Sequence, residues 1–444
     1  APPPPAAGSQ QGPGCPDEGG DNYKSECKLG LADRIIAESA TVLKNGAGVL
    51  PLAKGAAIAL VGSEACAEDP LAQGGGSGWN GFACNEVPKV NVRDGIAALD
   101  GVAEPSCPGA GDGDNPFAGE ADVIVAVVAP AKASEGADRE TLQLNSDDVW
   151  LIQKYGGLGK KLVVVINAPG PMITSTWDAV ADAILITWLP GQQNGKGIAM
   201  ALYGEAYEAS GRLPFTFPKC STESCAPEDE LASVALGDKI SSKEYRTFTE
   251  KALIGYRWYH AQGVEVSYPF GFGLFAYGSA EVAYSRAEAV VGPDVVTISA
   301  QLLHSGPREG RDVPQLYLSF PESVPGDAES KPEWVLKGFS KLTLKPGKAE
   351  AVSFVLSGRD LSYWDDSPGV SRWVCAEGEF RACVGANARD AVLPGRGACT
   401  RFSPPCGGAL ELAAEDAQAT AQLAGPGPAP WGSPAAWAAA ALSA

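Results

Sequence analysis

Four short apolar runs constrain this chain most: Ala57–Val61, Val123–Val128, Leu162–Ile166 and Ile184–Trp188, each bounded by turn residues. Near-continuous Val, Ile and Leu without polar alternation is the pattern of strands covered on both faces, as in a parallel sheet. Between the runs lie stretches of helical character, Val92–Leu99, Ser146–Tyr155 and Gly195–Tyr203. Strand alternating with helix predicts a doubly wound, mostly parallel α/β sandwich over residues 30–219. A helix is expected to open it at Leu31. Leu31, Ile35, Ser39, Val42 and Leu43 would share one face, with Asp33 in the first turn where the dipole favours an acid.

Beyond a polar and then aromatic connector, 220–275, the period falls from 3.6 to 2. Val296, Ile298, Ala300 and Leu302 alternate with polar residues, as do Leu316 with Leu318 and Leu342 with Leu344. Turns such as Lys345-Pro-Gly347 separate the runs. This predicts an all-β sandwich of about seven short strands over 276–404. Residues 1–29 are rich in Pro, Gly and polar residues and 405–444 in Ala, Gly and Pro, and both are expected to be disordered. The chain opens Ala1-Pro2-Pro3-Pro4-Pro5 without a Met, as a processed or excised product would.

Acids outnumber bases by 53 to 34, a formal charge of −19, and no basic cluster reverses the balance locally. That argues against nucleic acid as a partner. No apolar stretch is long enough for a membrane-spanning helix. Of the eleven cysteines, Cys66, Cys84, Cys107, Cys220, Cys225, Cys399 and Cys406 fall in expected loops, and Cys220 and Cys225 are close enough in sequence to pair. Loop cysteines at this density suggest an oxidising, secretory environment. The odd count and the lack of any Asn-x-Ser/Thr site keep open the alternative of free thiols in a reducing compartment.

Several strings, taken in order, resemble the family 3 glycoside hydrolases of the β-glucosidase type. Ala37-Glu-Ser-Ala-Thr-Val-Leu-Lys-Asn45 with Val49-Leu-Pro-Leu52 is similar to the opening of that family's α/β-sandwich domain. Gly74-Gly-Gly-Ser-Gly-Trp79 is similar to a glycine-rich loop of the fungal-type enzymes, and the resemblance makes Gly76, Ser77 and Trp79 substrate-adjacent. Glu135-Gly-Ala-Asp-Arg139, with Leu142 and Leu144, resembles the loop that carries the general acid/base. Leu189-Pro-Gly-Gln-Gln193, Leu202-Tyr-Gly-Glu205 and Ser210-Gly-Arg-Leu-Pro-Phe-Thr-Phe-Pro218 resemble the end of the domain. Gly255-Tyr-Arg-Trp-Tyr259 and Pro269-Phe-Gly-Phe-Gly273 resemble its connector. Val313-Pro-Gln-Leu-Tyr317, Leu336-Lys-Gly-Phe339 and Arg359-Asp-Leu-Ser-Tyr-Trp-Asp365 resemble its fibronectin-III-like domain.

The resemblance implies a retaining β-glucosidase acting on a β-glucoside or oligosaccharide, with no cofactor or metal. Retention needs two carboxyl groups about 5–5.5 Å apart, one attacking the anomeric carbon and one protonating the leaving oxygen. Glu135 suits the second role because it follows the run Val123–Val128 at the carboxyl edge of the expected sheet, where α/β proteins place ligands. Gly136 lets the loop turn, and Asp138 and Arg139 would brace it. The family's nucleophile, an Asp, lies on an N-terminal (β/α)8 barrel that these 444 residues do not contain, so a barrel carried on another chain or cut away is implied. Ala137 departs from the aromatic residue frequent there in fungal-type enzymes. Without the barrel, the isolated chain is expected to be inactive. Glu135 is then expected to be exposed and to titrate near the ordinary Glu value of about 4.3. The barrel-facing surface is expected to be apolar.

Other motifs carry less. Gly76-Ser-Gly-Trp-Asn-Gly81 fits G-x-G-x-x-G but runs into Pro88 in place of a helix. Asp112-Gly-Asp114 lacks the later ligands of a calcium loop, and His260 and His304 have no Cys-x2-Cys beside them. No nucleophile elbow supports a Ser-His-Asp triad. Trp177, Trp188 and Trp258 could stack on sugars, though packing is the default for each. The rival to an enzyme is a non-catalytic carbohydrate-binding or structural protein of an extracellular assembly.

Overall fold

The computed structural model describes residues 26–46, 48–67, 89–107, 113–130, 134, 139, 141–220, 251–327, 330–365, 367 and 372–404. A helix, α1 (Glu26–Ser39), leads directly into strand β1 (Thr41–Asn45). There follow β2 (Ile58–Val61), α2 (Val92–Ala97), β3 (Val123–Val128), α3 (Ser146–Gly156), β4 (Lys161–Ile166), β5 (Ala183–Ile186) and α4 (Asn194–Tyr203). The strands form one five-stranded sheet of order β1-β5-β4-β3-β2. β2 to β5 pair in parallel, and β1 joins β5 antiparallel.

The apolar runs become strands because each must bury both faces. Along β3, Val123, Val125 and Val127 enter one core while Ile124, Ala126 and Val128 enter the other. The first core takes Val92 and Ile96 of α2 and Ile198 and Leu202 of α4. The second takes Leu151, Ile152 and Tyr155 of α3. Helices α2 and α4 approach closely because glycine lines the crossing. A Cβ on Gly195 would fall 1.7 Å from the carbonyl oxygen of Asn91, so no side chain fits there.

The opening segment corrects the sequence expectation in three respects. The helix starts at Glu26, inside the stretch expected to be disordered. Leu31 and Ile35 are exposed, and the buried face is Asp33, Ile36 and Ala37. Val42 and Leu43 belong to a strand and point to opposite sides, Val42 into the first core and Leu43 into the second. Five residues are too few for periodicity to separate a strand from a continuing helix, and pairing with β5 decides it.

The second half begins with β6 (Phe217–Pro218), α5 (Tyr256–Gln262) and β7 (Val266–Tyr268). A β-sandwich follows, built from a three-stranded sheet, β14-β9-β8, and a four-stranded sheet, β12-β11-β17-β18. The strands are β8 (Val282–Val291), β9 (Val295–His304), β10 (Gly310–Asp312), β11 (Gln315–Ser319), β12 (Val335–Phe339), β13 (Leu342–Leu344), β14 (Glu350–Ser357), β15 (Ser362–Asp365), β16 (Arg372–Cys375), β17 (Phe380–Gly385) and β18 (Ala398–Phe402). The two sheets contain the seven expected strands, and the ribbons β10–β13 and β15–β16 are additional. β9 alternates as expected, its buried residues Val296, Ile298, Ala300 and Leu302 facing the core. In β11 the alternation fails, because Tyr317 between Leu316 and Leu318 is buried too, against Trp334 and Phe270. The connector covers that outer face.

Two disulfides have both partners among the described residues: Cys66–Cys107, and Cys383–Cys399 across β17 and β18. Cys399 therefore lies in a strand and not in a loop. Cys220 is disulfide-bonded, but Cys84, Cys225 and Cys406 lie outside the described residues. No helix among the described residues is long and apolar enough to cross a membrane.

The two halves interlock at a 3-10 turn, Phe275–Gly278. Phe275 enters the core of the β-sandwich, while Tyr277 enters the α/β core and donates to the carbonyl of Ala201 at 2.7 Å.

Candidate active site

The carboxyl ends of β2 to β5 all open on one edge of the sheet, where parallel strands leave the backbone of the following loops free to build a site. The connection from β3 to α3 begins and ends at this edge. Both feet are pinned. The amide of Asn145 donates to the carbonyl of Ala129 at 3.2 Å, and the amide of Ala129 donates to Oδ2 of Asp148 at 3.3 Å. The carboxyl also reaches the loop after β2: Oδ1 accepts from the Ser63 amide at 2.9 Å, and Oδ2 accepts from the Ser63 hydroxyl at 2.7 Å. Asp148 thus clamps two loop origins to the first turn of α3. Burial raises its carboxyl above the ordinary range, and the Ser63 and Ala129 hydrogen bonds oppose that rise.

The returning limb of the connection is held against the segment after β4. Arg139 donates from Nη1 to the carbonyl of Pro171 at 3.0 Å and lies 3.0 Å from the sulfur of Met172. Gly170 leaves room for the guanidinium, since a Cβ there would sit 3.3 Å from Nη2. Three residues after Arg139, the carbonyl of Leu142 accepts from the Ile173 amide at 2.9 Å. Leu142 packs beside Ile173 and Cys220.

Along the same edge runs a cleft of about 570 Å3, walled by Ser39, Pro169, Trp188, Arg212, Pro214 and Phe215 among others. Trp188 and Phe215 meet edge to face at 6.0 Å, and Nε1 of Trp188 donates to the carbonyl of Ser39 at 3.2 Å. Trp188 holds φ of 62°, a left-handed conformation that costs a non-glycine residue on the order of 1–3 kcal/mol and concentrates at functional positions. Beneath it, buried Asn167 accepts from the hydroxyl of Thr187 at 2.6 Å and donates to Asn194 at 3.1 Å.

Of the residues singled out from the sequence, the structure places Arg139 at this edge. Glu135, Asp138, Gly76, Ser77 and Trp79 lie outside the described residues. Trp188 had appeared only as one of three tryptophans. Trp177 is instead core, and Trp258 packs edge to face on Tyr259. The sequence reading assigns no role to Phe215 or Asp148. The signal for Phe215 was its place in Leu-Pro-Phe-Thr-Phe, where one aromatic faces out and the next, Phe217, faces in. Asp148 reads in sequence as an ordinary first-turn acid. Asp114 of the calcium-like fragment is taken up by Lys154 and Tyr155. Among the described residues no group of three His, Cys, Asp or Glu side chains could hold a metal ion.

A mixed α/β sandwich with its loops gathered at the carboxyl edge is joined here to an all-β sandwich, an arrangement of the α/β-plus-all-β class. The Glycosyl hydrolase family 3 C-terminal domain matches residues 40–275, and the Fibronectin type III-like domain matches 312–388. The chain belongs to glycoside hydrolase family 3. It is 32% identical over 405 residues to the probable beta-glucosidase L of Emericella nidulans, covering 82% of this chain and 52% of that protein. It is 30% identical over 403 residues to the probable beta-glucosidase G of Aspergillus terreus, covering 80% and 47% respectively. Among solved structures, beta-glucosidase D2-BGL from Chaetomella raphigera superposes with a TM-score of 0.69 at 27% identity, covering 84% of this chain and 54% of that one. The beta-D-glucoside glucohydrolase from Trichoderma reesei gives 0.69 at 27%, covering 86% and 56%. The chain spans about half the length of the curated relatives it matches.

Proposed function

We propose that this chain is the part of a retaining β-glucosidase that carries the general acid/base, and that Glu135 is that residue. The supporting observation is that the two ends of the β3–α3 connection meet at the carboxyl edge and that Arg139 is held to Pro171, next to the wall of the Trp188–Phe215 cleft. The resemblance assigns Gly76, Ser77 and Trp79 to the sugar's surroundings and Asp138 with Arg139 to bracing the loop. The nucleophile would come from a (β/α)8 barrel, on this polypeptide or another, held against the apolar surface of Trp188, Pro214 and Phe215. Glu135 would donate a proton to the leaving oxygen and then take one from water. The substrate would be a terminal β-glucoside. Besides the two disulfides described, Cys27, Cys220 and Cys375 are disulfide-bonded, which supports residence in an oxidising, extracellular setting.

The test is leaving-group dependence in the chain completed by a barrel half. Glu135→Gln should slow turnover of an alkyl β-glucoside by about 100-fold or more, yet spare the first step on a dinitrophenyl glucoside, whose leaving group needs no proton. Azide should restore turnover of the activated substrate. Equal loss on both substrates would remove Glu135 from the acid role. Full turnover by the 444-residue chain alone would remove the need for a barrel.

A further inference from the structure

Asp148 is 1% exposed, and its carboxyl receives three hydrogen bonds, none of them from its own helix. Asn145 already caps α3, its side chain accepting from the Asp147 amide at 3.1 Å. The buried carboxylate is therefore not spent on the helix terminus. Burying a carboxylate is costly unless donors answer it, and here all three come from the origins of two connections at the carboxyl edge.

Those connections differ in what they carry. Ser63 opens the one that leads, in sequence, to Gly76, Ser77 and Trp79, and Ala129 opens the one that leads to Glu135. Both origins are also tied by backbone bonds to the end of β3. The Glu64 amide donates to the carbonyl of Val127 at 3.1 Å, and the Asn145 amide donates to that of Ala129 at 3.2 Å. The pairing of β2 with β3 runs as far as Val61 with Ala126. Beyond that register, the Asp148 carboxyl accepts from both origins at once.

We propose that Asp148 is a positioning residue for the acid/base step, holding the origin of the Glu135 connection in place against the origin of the glycine-rich one. The proposal rests on the reading of Glu135 as the general acid/base. Oδ2 carries the link, since it accepts from both the Ser63 hydroxyl and the Ala129 amide. A shift of one origin relative to the other would displace the acid from the sugar without altering either group.

Asp148→Asn is nearly isosteric but keeps one acceptor oxygen, so it cannot serve the Ser63 and Ala129 amides on separate oxygens. Amide exchange in the 444-residue chain should be about tenfold or more faster at Ser63 or Ala129. Unchanged protection at both would overturn the clamp. In the barrel-completed enzyme, Asp148→Asn should lower kcat on an alkyl β-glucoside by about tenfold or more, with KM within about twofold. The first step on a dinitrophenyl glucoside, which needs no proton, should be spared. Ser63→Ala should show the same pattern more weakly, and it keeps the test open if Asp148→Asn folds poorly. The double variant should be no worse than Asp148→Asn, because both changes act through one link. Cys383→Ser/Cys399→Ser, destabilised in the other domain, should leave the ratio of the two substrates at the wild-type value. Equal loss on both substrates in Asp148→Asn, additive losses in the double variant, or a shifted ratio in the disulfide variant would each overturn the assignment. If Glu135→Gln itself lacks the leaving-group signature, the acid/base reading fails. If Glu135→Gln shows it and Asp148→Asn does not, the role of Asp148 alone fails.

Discussion

The guanidinium of Arg212 lies 2.6 Å from the carboxylate of Asp312, with side-chain exposures of 7% and 1%, and the pair joins the α/β sandwich to the β-sandwich. Asp312 also accepts from the hydroxyl of Tyr284, and the Arg212 Nη1 donates to the carbonyl of Gly211 at 2.9 Å. Around this pair, Glu38 receives Arg34, Arg311 and Lys341. Burial alone would raise the Glu38 carboxyl, but these cations bring it below its usual range. The joint between the domains thus adds a buried ionic cluster to the apolar interlock at Phe275 and Tyr277.

Removing one member of a buried pair strands the other charge. Arg212→Ala should therefore cost about 3–5 kcal/mol in urea unfolding. Replacing both members by apolar residues of similar volume should cost markedly less. A single-variant loss under about 1 kcal/mol would show that the joint is open to water.

Asp148 makes stability depend on pH with a defined sign. Its folded pKa is raised above 3.8 by burial, so the folded chain keeps a proton that the unfolded chain has released. That contribution is fully present below 3.8 and is lost as pH rises through the folded value. Asp33, Asp178 and Glu208, raised first by burial, carry the same sign. The difference between wild type and Asp148→Asn isolates the one group, and it should change with pH in this window and become constant above it. Asp148→Ala should cost about 2 kcal/mol or more throughout, since the amides of Ser63 and Ala129 lose their acceptor.

The Cys66–Cys107 bridge closes 41 residues and Cys383–Cys399 closes 16. On chain entropy the first contributes about 4 kcal/mol and the second about 3 kcal/mol. Cys66→Ser/Cys107→Ser should lower the calorimetric midpoint more than Cys383→Ser/Cys399→Ser does. The reverse order would place the stabilisation in native packing.

Arg139→Ala should leave the thermal midpoint within about 1 °C yet reduce turnover of the barrel-completed enzyme by about 100-fold, because a displaced acid misses its geometry. The loss should appear in kcat more than in KM. Unchanged turnover would mean that the Arg139 contact to Pro171 does not position the loop.

Sequence by itself determined the two layers and their order. Ala57–Val61, Val123–Val128 and Leu162–Ile166 had to be covered strands because nothing polar interrupts them, and β9 had to face one core because it alternates. It also displayed the family's strings and the Glu135 loop at the end of β3. The tertiary structure decided what depends on partners far along the chain. β1 became an antiparallel edge because β5 was there to receive it, and Tyr317 was buried because the connector lies over it. Asp148 became a clamp only when two loops ended beside it, and Phe215 met Trp188 only when the fold brought their two segments together. Periodicity records how a segment buries its own faces. Pairing across a hundred residues leaves no local trace, because it is the packing of other segments that creates the partner.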